Sequence, residues 1–218
     1  MNVPRWVTSV CCASVLLLTG CAAKPSYDYT AFKRNGPRSI LILPPVNDST
    51  AVGANYSLMS QMTLPLAESG YYVLPVTLVD ETFRQNGLND PTDIAMVPTK
   101  KLHEIFGADA ALYVHVKQYG TSYQVVSSVT TVTAVAKLVD LRSGELLWEG
   151  HASAIDNGQA ANVGGIVGML VAAVVNQIMA STFDRSHDVA GVASVNLLAA
   201  GRPGGMLYGP RSPNYQKE

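Results

Sequence analysis

The chain has 218 residues, 48% hydrophobic and only 14% charged, which suits one globular domain with a sizeable core, a leader and tails. Fifteen basic residues against 16 acidic ones provide no basic stripe, so nucleic-acid binding is excluded as a function class. There are three cysteines, Cys11, Cys12 and Cys21, and all lie within the first 21 residues.

Arg5 and an apolar run from Trp6 to Leu18 precede Leu18-Thr19-Gly20-Cys21. The run is too short to cross a bilayer, and the four residues that close it have the form of a bacterial lipobox. Residues 1–20 are therefore predicted to be a lipoprotein signal peptide cut between Gly20 and Cys21, with the Cys21 thiol acylated. Loss of Arg5 would leave 14 basic against 16 acidic residues, a formal charge of −2. Cys11 and Cys12 would leave with the signal, so neither disulfide nor thiol chemistry is expected in the exported domain. Several acyl chains, at about 0.8 kcal/mol per buried CH₂, would make anchoring effectively permanent. Ala22, rather than Asp, follows the cysteine, as in lipoproteins carried to the outer membrane.

Residues 21–37 are predicted to be a polar tether that could hold the domain a few tens of ångströms from the bilayer at about 3.3 Å per residue. Residues 38–200 are read as a single α/β periplasmic domain. Ser39 to Leu43, closed by Pro44-Pro45, is apolar without alternation, the pattern of a central strand covered on both faces. A helix is expected from Asn55 to Gly70 with Tyr56, Met59, Met62 and Leu66 inward and Pro65 kinking its last turn. Tyr71 to Val76 reads as a second strand. Thr77 and Asp80 form a capping-box pattern, with Leu78, Val79 and Phe83 buried and Gly87 as a stop. Asn89-Asp90-Pro91 reads as a loop, and Thr99 to Phe106 as a short helix with Leu102, Ile105 and Phe106 on one side, ended by Gly107. This βαβα order predicts parallel first strands.

From Ala110 the period becomes two, with Leu112, Val114 and Val116 on one face and Tyr113, His115 and Lys117 on the other. Tyr123 to Asp140 reads as one long strand bent near Ser127-Ser128, turning through Arg142-Ser143-Gly144 into Glu145 to Ala154. With Leu141 opposite Glu145, Leu138 pairs with Trp148 inside and Lys137 with Glu149 outside. Gly164 to Ser181 reads as a helix whose uninterrupted apolar part is too short to span a membrane. Its small-residue stripe, Gly164, Gly168, Ala172, Asn176 and Ala180, would pack on the sheet or form a dimer contact. A last helix is expected from His187 to Ala200 with Ser186 as cap. Residues 201–218 carry Pro203, Pro210 and Pro213 and are predicted not to fold alone, which would leave Met206, Leu207 and Tyr208 for a partner. The fold class is thus mixed α/β, arranged as layers: a parallel βαβα first half, an antiparallel hairpin second half, and helices packed on one mixed sheet.

No catalytic, cofactor or metal constellation is apparent. His103, His115, His151 and His187 are scattered, without zinc spacing, and neither a nucleophile elbow nor a phosphate loop occurs. In the proposed register His151 lies opposite Val135, and His115 would share that outer face. Asp80, Glu81 and Asp109 read as cap and turn residues. Asn47 to Thr50 lies at the carboxyl end of the central strand, where open α/β sheets bind ligands, but lacks glycines that would bring amides onto a phosphate.

The lipobox, Pro37 to Asn47, Ile105 to Ala110, Leu138 to Gly150 and Leu207 to Pro213 together resemble the outer-membrane lipoproteins typified by a meningococcal vaccine-candidate antigen. The resemblance covers nearly the whole mature chain. It implies a domain akin to CsgG, the TolB amino-terminal domain and the lipoprotein activators of peptidoglycan polymerases, and a CsgG-like lipoprotein as partner. It carries no catalytic residues. The expected role is a non-enzymatic accessory in envelope assembly or secretion, lipid-anchored at the outer membrane and facing the periplasm, with regulation of peptidoglycan synthesis as the alternative and an envelope enzyme as a third.

Overall fold

A computed structural model describes residues 27–123, 128–157 and 185–217. Cys21 and the small-residue stripe of Gly164, Gly168 and Ala172 lie outside the described residues.

The expected tether folds from Tyr27 onward. Helix α1 (Thr30–Asn35) buries Phe32 and ends at Gly36, whose left-handed backbone (φ 50°) lets its N–H reach Phe32 O. Arg34 and Asn35 both bind the Glu145 carboxylate and hold its pKa below the ordinary range. The Tyr27 hydroxyl accepts from Glu149 N–H at 2.9 Å, and Tyr29 donates to Gly205 O. A polar composition concealed this docking because aromatic rings and backbone partners, not an apolar stripe, supply it.

Strand β1 (Ser39–Ile42) sends Ile40 and Ile42 into one core and Leu41, with Leu43 just beyond, into the other, so an unbroken apolar run is needed. After the short strand β2 (Val46–Asn47), helix α2 (Ala54–Glu68) buries Ala54, Leu58, Met62 and Leu66 at four-residue intervals, with Met59 beside them. Tyr56 falls off that stripe and is half exposed, contrary to expectation. The helix runs through Pro65, and Ser69 closes it by giving both its N–H and its Oγ–H to Pro65 O.

Strand β3 is only Tyr72–Val73. Helix α3 (Val76–Gln85) is preceded by Pro75, so Thr77 is already helical and no side chain caps the end. The fixed φ of proline starts the helix in place of the expected capping box. Val79 and Phe83 are buried, whereas Leu78 is exposed. The predicted loop at Asn89 to Pro91 instead opens helix α4 (Pro91–Ala95), where the Asp90 carboxylate accepts from Thr92 N–H at 2.7 Å. Helix α5 (Thr99–Phe106) ends at Gly107 as predicted, but Ile105 is half exposed.

The long strands are β4 (Ala110–Tyr123), β5 (Ser128–Asp140) and β6 (Leu146–Asp156), and helix α6 (Arg185–Leu198) is the last element. Tyr123 opposes Ser128, so the chain reverses between them and the predicted single strand from Tyr123 is two. The sequence there has no Gly, Pro, Asn or Asp to announce a turn. Ser186 lies inside the first turn of α6 rather than ahead of it as a cap.

The mixed six-stranded sheet runs β3-β1-β4-β5-β6, with β2 also on β4. β1 is parallel to β3 and to β4; β4, β5 and β6 are antiparallel. The step from β1 to β3 goes one way along the sheet and the return to β4 goes the other. Connections of one hand must therefore cross opposite faces, and α2 does pack on one face and α3 to α5 on the other.

The hairpin register holds, with Leu138 opposite Trp148, Lys137 opposite Glu149 and Val135 opposite His151. Asp140, not Leu141, sits against Glu145, and a bulge at Leu147 restores the phase. The Asp140 carboxylate takes the N–H groups of Arg142 and Ser143 together with the Ser143 hydroxyl, and Gly144 adopts φ 76°.

The tail is part of the body. Met206 is fully buried, Trp148 donates to Gly204 O, Tyr71 donates to Leu207 O, and Gly209 and Arg211 give their N–H groups to Ser69 O and Gly70 O. Leu207 packs against the same core. Proline prevents this segment from making its own ladder, but not from completing that of another segment. Met206 is thus core rather than a partner contact, and Leu207 and Tyr208 are half buried.

Candidate functional site

Helices α2 and α6 cover one face of the sheet. On the other face α3 to α5 reach over β1 and the start of β4 and leave the rest of β4, β5 and β6 uncovered among the described residues. Alternation puts Tyr113 and His115, Val135 and Lys137, and Glu149 and His151 on this open face. Two rows cross the strands in register: Tyr113, Lys137 and Glu149, then His115, Val135 and His151. The α4–α5 connection, with Val97 and Pro98, makes one wall and Tyr27 contributes to another, enclosing a groove of about 850 Å³. Its floor of Val135 and Val139 is apolar, and Lys137, Glu149, His115 and His151 lie around it.

Burial in the groove pushes the Tyr113 phenol above its ordinary pKa. Beside the groove Asp48 accepts from Lys117 Nζ at 2.7 Å and lies 3.2 Å from His115 Nδ1. The Lys117 ammonium, with a smaller share from His115, holds the Asp48 carboxyl below its ordinary value. His115 therefore has a carboxylate neighbour in Asp48. Among the described residues no group of three His, Cys, Asp or Glu side chains could hold a metal ion.

The other singled-out residues have local roles. Asn47 closes its own loop by accepting from Ser49 N–H and Oγ–H and donating to Ala51 O, so its amide is engaged within the turn. Asp109 ties the entry of β1 to the hairpin turn: it accepts from the N–H groups of Arg38 and Ser39, the Ser39 hydroxyl and Arg142. Burial alone would raise its pKa, and these donors outweigh it and lower it. Asp80 and Glu81 lie within α3, where Glu81 accepts from Gln85, and cap nothing. His103 Nδ1 lies 2.8 Å from Ala108 O at the end of α5.

A polar quartet between α2, α6 and β4 has no signature in the sequence. Ser57 Oγ lies 2.7 Å from His187 Nδ1, Gln61 Nε2 lies 2.7 Å from His187 Nε2, and Tyr119 donates to Ser57 Oγ at 2.6 Å. Which atom donates in the Ser57–His187 and Gln61–His187 contacts depends on the His187 tautomer. The quartet joins elements that are 130 residues apart in sequence.

Residues 27–211 match the family described as "Putative lipoprotein GNA1162-like". The chain belongs to this family. It is 48% identical over 201 residues to "Putative lipoprotein NMB1124/NMB1162" of Neisseria meningitidis serogroup B, covering 91% of this chain and 93% of that one. The crystal structure of lipoprotein GNA1162 from N. meningitidis shares its fold, at 51% identity and a TM-score of 0.56, over 66% of this chain and all of that one. A chain of the PelC dodecamer from Paraburkholderia phytofirmans is 13% identical, with a TM-score of 0.43 over 74% of this chain and 84% of that one. Among the described residues no helix is long and apolar enough to cross a membrane.

Proposed function

We propose that this family member is a non-catalytic accessory lipoprotein, held by acylated Cys21 at the periplasmic face of the outer membrane, that binds an envelope protein across the open face of β4, β5 and β6. The observation that supports this reading is the groove: a wide, register-ordered surface with an apolar floor and charged flanks. Membership of a lipoprotein family supports anchoring. A CsgG-like lipoprotein, which the resemblance read from the sequence implies, is the first partner to test.

A photo-crosslinking residue at His151, in intact cells, is expected to give one discrete adduct that disappears when Val135→Arg is added. Recovery of the free protein alone would refute the reading. Stimulation of a purified peptidoglycan polymerase, lost in Val135→Arg, would keep the groove but assign it to the regulator of wall synthesis. Turnover on a cell-wall glycan panel that survives substitution of His115 and His151 would show that the protein is an enzyme with a centre elsewhere.

A further inference from the structure

Tyr27 is fixed to the edge strand of the sheet. Its hydroxyl accepts from Glu149 N–H at 2.9 Å, and its ring lies 4.8 Å from that of Tyr29, which is itself bound to Gly205 O. The stretch between a lipid on Cys21 and this fixed point is therefore Ala22 to Ser26, not the whole polar segment to Pro37. Six residue steps, even fully extended, reach only about 20 Å.

We propose that this short leash holds the β6 edge of the domain against the bilayer, so that the surface around Tyr27, α1 and the Arg202–Gly205 turn faces lipid headgroups. The inference rests on the acylation of Cys21 in the function proposed above. Tyr27, Tyr29 and Lys33 line this surface together with Arg202 and Pro203, beside an open groove of about 890 Å³. Lys33 and Arg202 outnumber Glu149 there, while Arg34 and Glu145 neutralise one another, so anionic headgroups are not repelled. Tyrosine suits the interface, with an apolar ring and a hydroxyl that can stay hydrogen-bonded. The opposite edge, at β3 and α3, lies four strand spacings away, about 19 Å further from the membrane. Tyr27 also lines the partner groove, so a partner bound there would meet the protein next to the membrane surface.

The test uses the full acylated protein in vesicles of phosphatidylethanolamine and phosphatidylglycerol carrying a headgroup acceptor dye, with a donor dye on Lys33→Cys or Glu81→Cys. Energy transfer is expected to be at least about threefold greater from position 33 than from position 81. Insertion of a Gly/Ser linker of about twenty residues between Ser26 and Tyr27, with a reach of about 25 Å on its own, is expected to abolish the difference. Equal transfer from both positions in the parent, or a difference that survives the linker, overturns the orientation while vesicle flotation and the mass of the amino-terminal peptide still certify the anchor. Failure to float, with an unmodified Cys21, overturns the anchor and the orientation together.

Discussion

Gly70→Ala tests whether the carboxyl-terminal tail is a structural part of the domain. Gly70 has φ +95°, and a Cβ added there would lie 2.4 Å from Ser212 N and 2.8 Å from Gly209 O, against backbone that cannot swing aside. Left-handed strain costs an alanine about 1–2 kcal/mol. Displacing the tail also loses the bonds from Gly209 N–H to Ser69 O and from Arg211 N–H to Gly70 O, each worth about 1 kcal/mol. The sum is about 3–4 kcal/mol, which lowers the melting temperature by roughly 6–16 °C for a domain of this size. Circular dichroism on heating measures that shift. Trypsin measures where it arises, since Arg211 is held over the Tyr72 ring at 5.3 Å and its cleavage should accelerate by on the order of a hundredfold. Gly87→Ala is the control: φ is +80° with nothing within 4 Å, so only the conformational part remains. A Gly70→Ala variant that melts like Gly87→Ala, with Arg211 cleaved at the parental rate, would show that the tail does not pack over Gly70.

Four further outcomes are expected. Gly150→Ala would place a Cβ 2.2 Å from the Trp148 ring, displacing the indole from Gly204 O at a cost of about 3 kcal/mol; Trp148 is the one tryptophan after Trp6, so in a domain beginning at Tyr27 a red-shifted emission reports it directly, and unchanged emission would contradict the packing. Asp109 has a folded pKa below its unfolded value, so its stabilisation is complete above about pH 4 and is lost as pH falls through the folded pKa; Asp109→Asn should flatten acid unfolding in that window, and a parental slope would remove the Arg38, Ser39 and Arg142 contacts from the account. Val135→Arg should leave the melting temperature within about 1 °C, because the side chain points to the open face, yet abolish partner capture; a large stability loss would mean that face is covered. Gly168→Leu should convert a dimer to monomer in sedimentation if the small-residue stripe is the interface, and an unchanged dimer rejects that contact.

The legible part of the fold was written in periodicities strong enough to override local noise. Ser39 to Leu43 declared a strand buried on both faces, and the alternation from Ala110 divided Leu112, Val114 and Val116 from Tyr113, His115 and Lys117. The hairpin register survived a wrong starting pair because burial fixed Leu138 and Trp148 independently of the turn, and the bulge at Leu147 absorbed the one-residue error. The open groove was half legible: His115 and His151 were placed on one outer face, but its walls come from the α4–α5 connection and Tyr27, which no local pattern links to β5.

The largest illegible part, the first helix and the tail, has one physical cause, namely partners distant in sequence. The tail and the first helix lack apolar periodicity, so composition assigned them to tether and disorder. Their order instead comes from single hydrogen bonds spanning most of the chain, such as Tyr29 to Gly205 and Tyr71 to Leu207. The first ties the entry of α1 to the tail and the second ties the approach to β3 to the tail, while the bond from Glu149 N–H to Tyr27 brings the chain entry to β6. Under the proposed anchoring, this long-range closure also shortens the stretch between Cys21 and the domain. Residues that a composition argument counts as reach are spent on packing, and the distance between lipid and groove follows from the fold rather than from the length of the polar segment.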